Sequence, residues 1–121
     1  MYSKDLPWSA IPADRLPKPQ GYKILIALPT VEAQTKGGLF LPEKLKGEEE
    51  IASILGYVVS VGPEAYSDPA RTSYAWCKEG DWVMFRPYSG TRFKIDGHEF
   101  RLINDDTVEA VSADPEGYKR A

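Results

Sequence analysis

The only cysteine of the chain, Cys77, and its only histidine, His98, are the first residues to consider for chemistry. A thiolate activated by an imidazole is a minimal nucleophilic pair. Cys77 follows Trp76 in a loop-like stretch, and His98 sits beside the Asp96-Gly97 turn; nothing in their spacing argues for a dyad. Asp96, His98, Asp105 and Asp106 are potential oxygen and nitrogen ligands for a metal. Acidic residues are expected at turns anyway, where they bond to the local backbone. Gly37-Gly38 is not a phosphate loop, because no Gly-Lys-Ser/Thr follows it. The residues therefore assign no catalytic group, no metal and no cofactor, and the chain is read as a non-enzyme.

The more unusual feature is Gly37-Gly38-Leu39-Phe40-Leu41-Pro42. Three large apolar residues stand inside a polar, glycine-flanked segment that runs from Thr30 to about Ser53 and carries Glu48-Glu49-Glu50. Such a run is either a short buried strand or an adhesive tripeptide on a tether. Burying three side chains of this size yields roughly 5–9 kcal/mol. Ordering half a dozen loop residues costs about 1–2 kcal/mol each. One such loop would bind weakly. Several on one rigid ring would bind well, because later contacts become intramolecular.

Around these residues the chain is that of one small domain. It has 121 residues, 42% of them hydrophobic and 27% charged, with a formal net charge of −3. The acidic balance and a pI near 5.2 argue against a general nucleic-acid binder. No apolar run approaches the ~18 residues of a membrane span. The N-terminus lacks the charged-then-apolar pattern of a signal peptide. One cysteine permits no internal disulfide, and a reducing, cytoplasmic setting is expected. Ten glycines and ten prolines favour short strands with punctuated turns over long helices.

Residues 1–20 hold Pro7, Pro12, Pro17 and Pro19 and read as an extended arm outside the core, with Trp8 and Ile11 as anchors if it packs. Tyr22–Leu28 is the first strand, with Ile24, Ile26 and Leu28 on one face. Gly56–Val61 and Trp82–Phe85 follow, separated by a loop-like stretch from Glu64 to Lys78. Asp96-Gly97 between Thr91–Ile95 and His98–Leu102 predicts a two-residue type I′ hairpin. Its register places Phe93 opposite Phe100 and Lys94 opposite Glu99. An apolar face of Phe93, Ile95, Phe100 and Leu102 is then set against a charged face of Arg92, Lys94, Glu99 and Arg101. Thr107–Val111 is a last strand, and a polar tail follows Ser112. Five or six short strands without a long helix pack most naturally as an all-β, small barrel, which removes exposed edges.

In their order, these pieces resemble the GroES-type co-chaperonins, over about residues 21–111. After the first strand, Gly37-Gly38-Leu39-Phe40-Leu41 resembles the family's mobile loop. Gly56-Tyr57-Val58-Val59-Ser60-Val61-Gly62-Pro63 resembles its Gly-x-Val-x-x-Val-Gly strand and turn. Lys78-Glu79-Gly80-Asp81-Trp82-Val83-Met84-Phe85 resembles its Lys-x-Gly-Asp-x-Val-x-Phe segment. Tyr88 to Gly97, Asn104-Asp105-Asp106 and Val108–Val111 continue the pattern.

The resemblance implies a GroES-like β-barrel (21–111) with a mobile loop (about 30–53) and a roof loop (about 64–77), assembled as a homo-heptameric ring. It implies a dome that caps a GroEL-type chaperonin ATPase and encloses unfolded clients. Neighbouring subunits would pair through their terminal strands. Gly37, Gly38, Leu39, Phe40 and Leu41 would be the chaperonin-binding residues, and Tyr66 and Tyr88 would lie in the dome interior or roof. No membrane and no nucleic acid would be involved.

Three features depart from the family's pattern. Phe40 is bulkier than the usual central residue, the segment from Leu41 to Gly56 is longer, and the arm (1–20) and tail (112–121) have no counterpart in the common short forms. Such divergence suits a virus-encoded copy working in a host cytoplasm, or a specialised second copy. Two alternatives remain. One is a GroES-like fragment of a dehydrogenase, which needs metal ligands. The other is a small β-barrel binding module for single-stranded nucleic acid, using Tyr74, Trp76, Trp82 and Tyr88 with Arg86, Arg92 and Arg101.

Overall fold

Four consecutive apolar residues, Ile24-Leu25-Ile26-Ala27, make Lys23–Ala27 a strand that buries both of its faces. Such two-sided burial is what a near-continuous apolar run predicts. A computed structural model describes residues 2–3, 7–28, 30–31 and 54–115. Its strands are β1 (Tyr2–Ser3), β2 (Lys23–Ala27), β3 (Thr30–Val31), β4 (Leu55–Val61), β5 (Trp82–Phe85), β6 (Thr91–Ile95), β7 (His98–Asn104) and β8 (Val108–Ser112). Among the described residues there is no α-helix, only short 3-10 turns. Six strands form one antiparallel sheet in the order β6-β7-β2-β4-β5-β8, and β1 pairs separately with β3.

Two bulges bend this sheet. Leu25 faces Ser60 and Ile26 faces Val58, which leaves Val59 as the extra residue. Met84 faces Ala110 and Phe85 faces Val108, which leaves Glu109 extra. Each bulge adds twist and curvature. Curvature is visible across the core. β7 and β5 are three places apart, about 14 Å in a flat sheet. Yet the Arg101 guanidinium lies 5.0 Å from the centre of the Phe85 ring. Ile24, Ile26, Val58, Val83, Phe85 and Ile103 form the inner cluster that the curled sheet encloses.

The hairpin has the expected turn and register. Asp96 and Gly97 both take positive φ, 50° and 81°, as a type I′ turn requires. Phe93 faces Phe100 and Lys94 faces Glu99. The expected sorting of faces fails at one residue. Arg101 is fully buried, not solvated. A hairpin considered alone leaves its charged face in water. Here β7 is an inner strand between β6 and β2, and that face becomes the barrel interior. Burial lowers the Arg101 pKa. Arg92, nearer the open edge, pairs with Glu99.

The arm also differs from the expectation. Pro7–Ala10 and Ala13–Arg15 are 3-10 turns, with proline opening the first and preceding the second. Ile11 is only 6% exposed and joins Leu25, Ala27 and Phe100 in a second cluster on the outer face of the sheet. Trp8 sits 5.5 Å from the ring of Tyr57 and 6.3 Å from that of Phe100. Tyr57 in turn touches Trp82, and Phe100 stacks on Phe93. The arm thus supplies the middle ring of five that cross the outer face. The outer apolar surface of β2 and β7 needed a cover, and the arm provides it.

Gly62 marks the other tight point. Its N–H donates to the Lys23 carbonyl at 2.8 Å, and the Glu64 N–H donates to that of Gly21 at 3.0 Å. A Cβ on Gly62 would stand 2.5 Å from the Gly21 oxygen and 2.8 Å from that of Lys23. Neither carbonyl belongs to a movable side chain. Gly62→Ala is expected to lose about 1–3 kcal/mol, read as a lower urea midpoint with an unchanged slope.

Candidate functional site

Gly37, Gly38, Leu39, Phe40 and Leu41 lie outside the described residues. The structure places the two stems of their segment. β2 runs through Ala27 to Leu28, whose N–H donates to the Glu99 carbonyl at 3.0 Å. On the return, the Ile54 carbonyl accepts the Phe85 N–H at 2.9 Å, and β4 begins at Leu55. Ala27 and Tyr57 face one another in register. The tripeptide's segment therefore leaves and re-enters one end of a hydrogen-bonded strand pair. Both stems are fixed to the six-stranded sheet.

The opposite end of the same pair, where Ile24 faces Val61, carries the segment from Gly62 to Cys77. A buried carboxylate fastens it. Asp105, with no exposed surface, opens a 3-10 turn between β7 and β8. Both terminal nitrogens of the Arg71 guanidinium donate to it, at 3.0 and 2.7 Å. The Tyr66 N–H donates to Oδ2 at 2.9 Å, and the Tyr66 hydroxyl donates to the Asp105 carbonyl at 2.8 Å. The Asp105 N–H donates to the Tyr22 carbonyl, and the Arg71 guanidinium lies 3.8 Å over the Tyr22 ring. Burial alone would raise the Asp105 pKa, but the Arg71 and Tyr66 hydrogen bonds outweigh it and hold the carboxyl below its ordinary value.

Of the two tyrosines singled out in the sequence, Tyr66 is half-buried against Trp76 with its backbone at φ 58°. Tyr88 is 84% exposed on the β5–β6 connection. The structure does not bring them together through any contact among the described residues.

The candidate chemical groups do not converge either. The buried Cys77 thiol lies 3.4 Å from the Tyr66 hydroxyl, and burial raises its pKa. A thiol held protonated is a poor nucleophile and a poor metal ligand. Asp105 is committed to Arg71, and Asp96 forms an exposed ion pair with Arg15. Among the described residues, no three of His, Cys, Asp and Glu gather as a metal site. Trp82 and Arg101 are buried, so they offer nothing to single-stranded nucleic acid. Asp105 and Arg71 are the residues whose partnership sequence reasoning missed. They stand 34 positions apart, and no local pattern links them.

Residues 17–112 match the model of the family described as the Chaperonin 10 Kd subunit. The chain belongs to this family. Among its relatives, the co-chaperonin GroES of Caldicellulosiruptor saccharolyticus is 37% identical over 97 residues, covering 80% of this chain and 97% of its own length. That of Lawsonia intracellularis is 33% identical over 102 residues, 84% of this chain and 97% of its own. That of Desulfotalea psychrophila is 35% identical over 94 residues, 78% of this chain and 95% of its own. The match to the Chaperonin 10 Kd subunit spans β2 to β8. Among the described elements, β1 and the two 3-10 turns of the arm precede it.

Proposed function

We propose that the chain is a co-chaperonin that caps the ring of a GroEL-type chaperonin and helps enclose and fold client proteins. It performs no catalysis itself; the ATPase is its partner. The family match through the whole barrel carries this reading. Leu39, Phe40 and Leu41 are the anchors that enter an apolar groove of the chaperonin, and Gly37 and Gly38 let the backbone turn on docking. Both stems being fixed to one end of the barrel supports a docking role for the segment between them. The segment held by Asp105 at the opposite end suits a roof, with Tyr66 in it and Tyr88 near the inner wall.

The assembly is a ring of seven in the cytoplasm. Each loop binds weakly, and simultaneous docking multiplies the affinity. The first experiment is the native mass at micromolar concentration. Seven chains of 13.5 kDa give about 95 kDa, and a ring of that mass should be captured by a GroEL-type chaperonin in the presence of ATP. A strict monomer that no chaperonin captures would overturn the reading.

A further inference from the structure

We infer that the N-terminal arm is a strap that holds the root of the chaperonin-docking loop, so that each loop has less chain to order when it docks. The inference rests on the co-chaperonin reading for its consequence but not for its geometry. β1 pairs antiparallel with β3, with Tyr2 facing Val31 and Ser3 facing Thr30. β3 is the first stretch of the segment that leads to Gly37–Leu41. A lone two-residue ladder is marginal in water. This one is tethered at both strands. β3 follows β2 directly, and β1 is joined through residues 4–6 to the anchored part of the arm.

That anchor is substantial. Trp8 lies between Tyr57 and Phe100, Ile11 is buried, and Arg15 reaches the hairpin turn through two hydrogen bonds to Asp96, at 2.6 and 3.4 Å. Three linking residues span at most about 11 Å, so β1 stays within reach of β3 at high effective concentration. β1 and the two turns of the arm precede residue 17, where the family match begins, so that match does not include them. Beyond Val31, the residues up to Leu39 span at most about 28 Å. The strap therefore fixes the root without confining the tripeptide. Two residues already fixed in the free protein need not be ordered on docking, which is worth about tenfold or more in each loop's affinity.

The test compares the full chain with the double variant Tyr2→Pro/Ser3→Pro, which removes both β1 amides and leaves Trp8, Ile11 and Arg15 in place. Hydrogen exchange at the Thr30 and Val31 amides of the free protein decides the strap and needs no chaperonin. The amide that donates into the pair should exchange at least tenfold faster in the variant, while Ile26 in β2 keeps its protection. Equal rates at Thr30 and Val31 overturn the strap. Capture by an immobilised GroEL-type chaperonin with ATP decides its consequence. The variant should bind about tenfold more weakly; equal or tighter binding overturns the ordering role. A full chain that is not captured at all refutes the co-chaperonin reading instead, and the exchange rates still decide the strap.

Discussion

Serine at both Leu39 and Phe40 is expected to abolish chaperonin-assisted refolding while the ring stays assembled. Each large apolar side chain contributes roughly 1.5–3 kcal/mol when it leaves water. Removing two takes about 3–6 kcal/mol from every loop, a factor of roughly 10² to 10⁴ in its docking equilibrium. Loops on one ring act together, so the loss compounds. If the two residues act in docking alone, native mass and urea midpoint stay where they are in the wild type, and both are measured beside the yield. The readout is the yield of a chaperonin-dependent client refolded with chaperonin and ATP. Wild-type yield from the double variant would place the anchors elsewhere.

Asp105→Asn should give the largest stability loss of any single isosteric change in the described residues. The variant keeps the shape but loses the charge, and its amide nitrogen turns a donor toward Arg71 or toward the Tyr66 N–H. Leaving such buried partners mismatched costs about 2–4 kcal/mol. The pH dependence follows from the direction of the shift. The folded carboxyl titrates below its ordinary value. Its stabilisation is therefore complete above the ordinary Asp range, near pH 4, and fades as pH falls through and below it. The wild type should exceed the variant by a constant margin from pH 7 to about pH 5, with the margin shrinking toward pH 3. Urea midpoints at pH 7 and pH 3 measure this. An equal margin at both would mean that protonation of the Asp105 carboxyl does not loosen the segment over this range, against the charge argument.

Much of the fold was legible because its signals are local. Asp96-Gly97 fixed the register of β6 on β7, since only a left-handed pair of residues closes that turn. The last strand starts one residue later than expected, because Asp105–Thr107 winds into a 3-10 turn first. Non-local facts were not legible. Arg101 looked solvated because hairpin periodicity describes two strands, not the curled sheet that they join. The arm looked extended because proline count carries no information about what Trp8 and Ile11 touch. The Asp105–Arg71 bond joins two loops that only the folded barrel brings together. The proposed docking role of Leu39-Phe40-Leu41 rests on the order of motifs along the chain and on the placement of the segment's two stems.

The double burial of β2 has a consequence for how this sequence is able to change. In a strand with one wet face, every second position is free to drift. Ile24 and Ile26 face the barrel interior, while Leu25 and Ala27 face the arm, and all four are at most 1% exposed. A library of all single substitutions should show four adjacent intolerant positions there, with no alternation. Shortening the arm to remove Trp8 and Ile11 should restore the two-residue rhythm by making polar residues acceptable at positions 25 and 27 alone. The arm and the odd face of β2 are thus constrained to diverge together, as one unit of inheritance within the chain.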